Sequence, residues 1–563
     1  MTHALKLPQP LAWIDGWLAR PLSPQRVVLR LALYLALVAN WPLWLQLARV
    51  ADTPGAALRS VAVMAALLLG GTVALLALTA WTRGMRWLWW LVVLVAALAQ
   101  YYMLTYRVVM DPGMLGNVLQ TDPREVADLL GPRMVLSVLA VLLLPTWWLA
   151  RLRLAAAPPW RQVARNALLL LAALGVVAAT VALASRDLAP LMRNHKEVRY
   201  LLNPLASLYS GVVAGQRQWF SRTRTLVAMT EGAALGPSYA ADRRPLLFVL
   251  VVGETARADH FALNGYGRDT NPQLSRLDVS SWRRVFSCGT STLTSLPCMF
   301  SPLGREKFES RDNEYETLLD VVQAAGLAVL WLDNQSGCKG VCDRVPHASA
   351  ADGLDEAQRK ALCDGGECRD EAMLAGLDAR IAALPAERRA RGVLLVLHQM
   401  GSHGPAYFKR SSEAVKRFQP ECRTEVLANC SQEALVNAYD NSIVATDAFL
   451  AGTIDWLKAR AARDDVGLLY LSDHGESLGE YGLFLHGMPY GIAPEAQKHV
   501  PMVTWFSTPL SDRLALSGTC LAGRLDEPLT HDNLYSTVLG ALDVRSPSYR
   551  KALDVLAPCR SGV

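Results

Sequence analysis

Through the first third of the chain, long uncharged runs alternate with short basic flanks. Five stretches, 31–48, 60–82, 87–106, 134–150 and 166–185, contain no Asp, Glu, Lys or Arg. Each has about the length an α-helix needs to cross the hydrocarbon core of a bilayer, roughly 17 to 25 residues. A soluble domain does not place five such helices in its first 185 residues. The first run is also too long, and followed by too many others, to be a cleaved signal peptide. The pattern predicts a five-helix transmembrane domain over residues 1–185.

Residues 186–242 are mixed in character. Trp219 and Phe220 stand beside Arg217, Arg222 and Arg224, as expected of an amphipathic connector lying at a membrane surface. From Pro245 onward the pattern changes again, to short apolar runs at 246–253, 328–333, 393–398, 467–472 and 502–506 separated by helical stretches. Strand alternating with helix predicts a soluble α/β domain over residues 243–563, with a mostly parallel central sheet covered on both faces. No internal repeat is visible.

Charge sharpens the division. Residues 1–240 carry 22 Lys and Arg against 9 Asp and Glu, whereas residues 241–563 carry 34 against 41. The basic excess therefore belongs to the apolar part and gives no reason to expect a nucleic-acid partner. Within that part, Arg and Lys cluster on alternate flanks: Arg26, Arg30, Arg83, Arg86, Arg151 and Arg153 mark one side and Arg49, Arg59, Arg107 and Arg133 the sparser other. Basic flanks stay in the cytoplasm, so five spans beginning inside deliver everything after residue 185 to the far side. All ten cysteines lie there, between Cys288 and Cys559. Their close spacing suggests disulfides between sequential neighbours, Cys288/Cys298, Cys338/Cys342, Cys363/Cys368, Cys422/Cys430 and Cys520/Cys559, although spacing alone leaves the connectivity open. A structural zinc site would want paired CxxC motifs, which are absent. Disulfides and charge thus agree on an oxidising compartment across the membrane for the second domain.

Candidate chemistry gathers at the predicted strand ends, where open α/β sheets build their sites. The first strand runs into Glu254-Thr255-Ala256-Arg257, the third ends at His398 ahead of Gly401-Ser402-His403-Gly404, and the fourth runs into Asp473-His474-Gly475-Glu476. Carboxylates and imidazoles converging from separate strands are zinc ligands in type. Each alone has a plainer reading as a cap or a structural side chain. A hydroxyl-rich turn, Cys288-Gly289-Thr290-Ser291-Thr292-Leu293-Thr294-Ser295-Leu296-Pro297-Cys298, leads into a predicted helix start suited to developing negative charge. A threonine there needs a base or a metal to become a nucleophile, and spacing does not say which hydroxyl it is.

Together the runs VGETAR, CGTSTLTSLPCMFS, DNQSGCKG, GSHGP and SDHGESLGE closely resemble the lipid A phosphoethanolamine transferases of Gram-negative bacteria, the group that includes the mobile colistin-resistance enzymes. The resemblance covers nearly the whole chain. It implies an alkaline phosphatase and sulfatase type of catalytic domain with Glu254, Thr292, Asp473 and His474 holding a catalytic zinc, and with Thr292 as the residue that becomes modified. It also implies that His403 and His486 face the phosphoryl group or a second zinc, that Ser336 and Lys339 contact the phosphoethanolamine headgroup, and that Asn117, Thr121 and Glu125 reach the site from a membrane-domain loop. Asp122-Pro123-Arg124-Glu125 is equally a good helix start, with Glu125 closing the cap. Lys339 could equally be a solvated charge. His499 is a further candidate beside a strand, and His260, His347, His398 and His531 read as structural.

The reaction implied is transfer of phosphoethanolamine from phosphatidylethanolamine to a phosphate of lipid A through a phosphothreonine. The donor and acceptor are lipids, the membrane is a partner, and a monomer is expected. Rival readings keep the enzyme but change the acceptor to a core sugar or another envelope glycan, or let water complete a hydrolase reaction. A formylglycine sulfatase is disfavoured because neither Cys288 nor Cys298 lies in a CxPxR context. A non-catalytic receptor would have no use for the intact ligand set.

Overall fold

The computed structural model describes residues 21–51, 53–80, 85–120, 129–155, 157–221, 224–240, 243–364 and 367–561. The chain divides into two compact units, one formed by Met1–Leu115 and Leu130–Gly215, the other by Gly116–Leu129 and Gln216–Val563.

The first unit is helical. Its helices are α1 (Pro24–Val38), α2 (Trp41–Val50), α3 (Pro54–Leu78), α4 (Arg86–Thr105), α5 (Pro112–Gln120, continuing across the division), α6 (Pro132–Arg151), α7 (Pro159–Leu183), α8 (Ser185–Asn194) and α9 (Leu205–Ser221). Proline stands in the first turn of α1, α2, α3, α6 and α7, where its missing N–H is no loss. Four helices, α3, α4, α6 and α7, are each long and apolar enough to cross a membrane. The first expected span is instead two helices, α1 and α2, bent by 51° at residues 39–40. The cause lies in the sequence: Pro42 cannot continue the ladder from α1, and Asn40 turns inward. Asn40 donates to the carbonyls of Leu35 (2.9 Å) and Asn203 (2.5 Å) and accepts the Asn203 N–H at 2.9 Å. Asn203 in turn donates to Ala39 O and Ala96 O at 3.0 and 2.7 Å. Helix α7 leaves Leu168, Leu171 and Leu174 exposed, an apolar surface suited to lipid. Helix α9 exposes Tyr209, Val212 and Trp219 while burying Ala206, Ser210 and Ala214.

The second unit centres on an eight-stranded sheet. In chain order the strands are β1 (Leu246–Gly253), β2 (Ser280–Phe286), β3 (Ala328–Asp333), β4 (His347–Ser349), β5 (Gly392–His398), β6 (Asp465–Ser472), β7 (His499–Phe506) and β8 (Leu529–Thr530). Across the sheet they run β8-β2-β7-β6-β1-β5-β3-β4. The sheet is mixed: β7 is antiparallel to both of its neighbours, β6 and β2, and the other pairings are parallel. All eight residues of β1 are buried. Leu246, Phe248, Leu250 and Val252 enter one core and Leu247, Val249 and Val251 the other, which is why the strand reads as an unbroken apolar run rather than an alternation. Strand β2 escaped the sequence reading because Arg283 and Arg284 interrupt it; Arg283 pairs with Asp526 at its rim. The second core is closed by a 29-residue helix, α11 (Gln432–Arg460), capped by Ser431, and a shorter helix, α10 (Thr292–Met299), stands at the strand ends. The five disulfides join sequential neighbours, Cys288–Cys298, Cys338–Cys342, Cys363–Cys368, Cys422–Cys430 and Cys520–Cys559.

Candidate active site

Strands β1 and β6 are parallel neighbours paired Gly253 to Ser472, so their next residues, Glu254 and Asp473, emerge side by side. Both carboxylates and His474 are wholly buried. Asp473 Oδ1 accepts the backbone N–H of Thr255 (3.2 Å) and of His474 (2.7 Å), which aims Oδ2 the other way. Thr255 holds a left-handed φ of 52°, a strained backbone pinned by the Tyr439 hydroxyl on its carbonyl. From a third direction, Gly401 packs so close that a Cβ there would lie 2.7 Å from Glu254 O, and Ser402 N–H bonds that same carbonyl at 3.0 Å.

Thr292 opens α10. The turn before it is drawn tight: a Cβ on Gly289 would meet Thr294 at 2.8 Å, and Cys288–Cys298 ties the turn to the far end of the helix. The hydroxyls that sequence could not separate have different partners. Thr290 Oγ1 donates to Met488 O at 2.6 Å, Ser295 Oγ accepts Gly289 N–H at 2.9 Å, and Ser291 Oγ meets Thr294 Oγ1 at 3.4 Å. Thr292 Oγ1 alone among them donates to Glu254 Oε2, at 2.9 Å, with His474 Nε2 3.4 Å away.

The arrangement fits a divalent cation. Glu254 Oε1 and Asp473 Oδ2 are buried without a hydrogen-bond donor, and they lie 3.3 and 3.4 Å from His474 Nε2. His474 Nδ1 faces the Gly475 carbonyl at 2.9 Å and so carries the ring proton, leaving Nε2 as a lone pair. One ligand atom from each of Glu254, Asp473 and His474 falls within 4.8 Å of the others. Burial, then repulsion from Asp473, drives the Glu254 carboxyl well above its ordinary value. Two acids and a lone pair crowded in a dry site need a positive charge between them. Among the described residues the other such group, Cys338, Cys342 and Asp343, has its sulfurs joined in a disulfide.

Around this centre, the His486 ring lies 4.4 Å from that of His474 and 5.5 Å from that of His403. His486 Nδ1 is 3.4 Å from Glu476, a buried carboxylate with no donor on either oxygen. Burial, reinforced by His486, Arg410, His474 and Lys339, holds His403 well below its usual value, so it is neutral at neutral pH. Lys339, itself at a left-handed φ of 49°, donates to Ser336 O (3.0 Å) and Ser336 Oγ (2.8 Å). These two predicted residues thus form one unit, and Lys339 acts electrostatically on His403. Asn117 lies in α5; a Cβ on the preceding Gly116 would sit 3.3 Å from Leu293, the residue after Thr292, and both belong to the second unit. Thr121 and Glu125 lie outside the described residues.

Four further histidines of the second unit, His260, His347, His499 and His531, hold structure. His531 bridges Cys288 N–H and Ser472 O, at 3.1 and 2.9 Å, and burial lowers it to about 4. His260 pairs with Asp440, and His347 contacts Val345 O. His499 stacks on Phe286 and bonds Arg283 O at 2.7 Å, contacts that hold strand β2 rather than the carboxylates. His398 does more than fill the core. Its Nδ1 is 3.1 Å from Asp333 Oδ2, whose other oxygen accepts the N–H groups of Gln335 (2.9 Å) and Gly337 (3.2 Å) at the start of the Ser336–Lys339 turn. Burial opposes ionisation of Asp333, but His398, the Trp331 indole N–H and the Gly337 N–H together outweigh it and lower the acid to about 2. The sequence reading missed Glu476, Asp333 and Asp370. The first two stood inside quoted motifs as unassigned acids, and Asp370 carried no signal.

The strand-end site on this mixed sheet defines a sulfatase-type catalytic domain, and residues 247–544 match the family model described as Sulfatase. Residues 68–219 match the one described as Phosphoethanolamine transferase EptA/EptB. Phosphoethanolamine transferase EptA of Salmonella typhimurium is 40% identical over 479 residues, 83% of this chain and 84% of that protein. Phosphatidylethanolamine transferase Mcr-1 of Escherichia coli is 38% identical over 542 residues, 94% and 96% of the two chains. The solved structure of the integral membrane lipooligosaccharide phosphoethanolamine transferase A from Neisseria meningitidis superposes with a TM-score of 0.89 at 33% identity, covering 96% of this chain and all of that one. The chain belongs to the phosphoethanolamine transferase family.

Proposed function

We propose that this protein sits in the bacterial inner membrane and uses a zinc-dependent periplasmic domain to move phosphoethanolamine from phosphatidylethanolamine to a phosphate of lipid A. The observation that carries the reading is the Thr292 hydroxyl, 2.9 Å from Glu254 and 3.4 Å from His474 Nε2, among carboxylate oxygens that lack donors. Glu254, Asp473, His474 and Thr292 would hold the zinc, which when bound would lower the pKa of the threonine hydroxyl and offset phosphoryl charge. Glu476, His486 and His403 are the side chains a second zinc would use.

In the first displacement Thr292 Oγ forms a bond to the donor phosphorus, the bond from phosphorus to the diacylglycerol oxygen breaks, and that oxygen leaves with a proton as the alcohol. In the second, an acceptor phosphate oxygen attacks the phosphothreonine, forming a diphosphate linkage and restoring the Thr292 hydroxyl. Lys339 and Ser336 hold the headgroup, and where no second zinc is bound His403 and His486 donate to the phosphoryl oxygens. Asn117, in α5, and Thr121 and Glu125, which follow it in the sequence, are the further residues that would contact the donor. The enzyme works as a monomer on two lipids that need not leave the bilayer. Each transfer adds an ammonium to the outer lipid, so polymyxins, which bind by positive charge, lose attraction.

Purified protein incubated with headgroup-labelled phosphatidylethanolamine should gain one phosphoethanolamine on Thr292, read by mass spectrometry, and Thr292→Ala should gain none. No adduct on wild type, or an adduct on the variant, would overturn the nucleophile. Mass analysis of lipid A from expressing cells decides the acceptor: unmodified lipid A beside a modified core sugar would replace it.

A further inference from the structure

Asp370 lies outside every motif that marks the site, yet its carboxylate joins the two turns that carry the headgroup residues. Its Oδ1 accepts from Asn334 Nδ2 and from the Met400 N–H, both at 2.8 Å. Its Oδ2 accepts the Gly401 N–H at 3.0 Å and Gln399 Nε2 at 3.2 Å. Four donors use the acceptor capacity of an ionised carboxylate. Asn334 opens the turn that presents Ser336 and Lys339, while Met400 and Gly401 open the turn that presents His403. Gly401 and its neighbour Ser402 also press on the Glu254 carbonyl.

The anchor is itself held. Asn334 Nδ2 also donates to Cys368 O at 2.8 Å, and Cys368 closes a short hairpin through its disulfide to Cys363. Glu367 on the same hairpin pairs with Arg410 at 2.8 Å, and Arg410 Nε donates to the His403 carbonyl at 2.9 Å. One hairpin therefore reaches the Ser336–Lys339 turn directly and the His403 turn through Arg410.

We infer that Asp370 is a positioning residue that sets the spacing between the Ser336–Lys339 turn and the His403 turn, so that both meet one phosphoethanolamine headgroup. The inference rests on the donor-site reading above. A rigid node is what this chemistry requires, because headgroup ligands on two separate loops lose their common geometry if either shifts by about an ångström, a displacement worth roughly 100-fold in rate. Asp370→Asn keeps the shape but turns an NH2 toward groups that are themselves donors.

The test uses the full-length zinc-loaded protein in detergent, with headgroup-labelled phosphatidylethanolamine as probe and the Thr292 adduct as readout. Asp370→Asn should lose about 100-fold in donor kcat/KM, with zinc content unchanged. Asn334→Ala should raise donor KM about tenfold with a smaller change in kcat. The double variant should be no worse than Asp370→Asn, since both changes cut the same link. Additive losses, or Asp370→Asn within about twofold of wild type, would overturn the inference. If Asp370→Asn fails to fold, Asn334→Ala decides: a donor KM within about twofold of wild type overturns it. Absence of an adduct on wild type would instead overturn the donor-site reading itself.

Discussion

The helical unit and the sheet unit each bury a cluster of polar side chains, and the two clusters are treated in opposite ways. Asn40 and Asn203 bond each other and three further backbone carbonyls, and Gln162 and Asn166 share Ala80 O with Gln25 joined to them. Glu254 Oε1, Asp473 Oδ2 and both oxygens of Glu476 have no donor. A closed network in an apolar setting specifies packing, whereas open acids in a dry site are stable only with something to bind. Between these two clusters, satisfaction rather than burial is the difference.

The largest test of that contrast is Thr292→Ala, which should lower transfer by on the order of 10⁴-fold or more while zinc stays bound to the other three side chains. Turnover with labelled donor checks the first part and metal analysis the second. Next, Glu254→Gln removes one open acid. It should lower zinc affinity at least about 100-fold and yet raise the melting temperature of metal-free protein, because a buried repulsive charge is gone. A metal-free variant that melts lower than metal-free wild type would break the contrast on the sheet side. On the helical side, Asn40→Leu should destabilise by about 2 kcal/mol, since Asn203 loses its partner, while folded molecules keep their turnover. Unfolding in detergent measures this, and a lost turnover without lost stability would count against a scaffold role.

The smallest effect concerns pH. Burial lowers His531 from 6.5 to about 4, so the folded protein keeps it neutral while the unfolded chain protonates it near 6.5. Its contribution is complete above that pH and is lost as pH falls through 6.5 toward about 4. His531→Gln should lack that part of the acid slope in a melting series, and an unchanged slope would remove the assignment.

Much of this was legible without coordinates. Uncharged runs of 17 or more residues marked the membrane helices because hydrocarbon tolerates little else, and a strand covered on both faces must be apolar throughout. The first span resisted because length and hydropathy do not register a bend, which Pro42 and the inward Asn40 create together. The mixed sheet resisted because the direction of β7 depends on its neighbours, and β2 because its arginines reach the rim. Among site residues, Glu254, Asp473 and His474 announced themselves at strand ends. Asp370 did not, since an acid between a hairpin and a short helical turn looks like any surface acid.

Sequence by itself determined the division into a basic apolar part and an acidic cysteine-bearing part, and the chemical types at the strand ends. It did so because burial and membrane insertion act on composition over many residues. Which hydroxyl of the turn meets the carboxylates, which acids are left without donors, and which single carboxylate ties two distant turns were decided only by tertiary structure. Those are contacts between residues as much as 218 positions apart, as in Thr255 and Asp473, and no local pattern encodes a distance of 3 Å between atoms that only the folded sheet brings together.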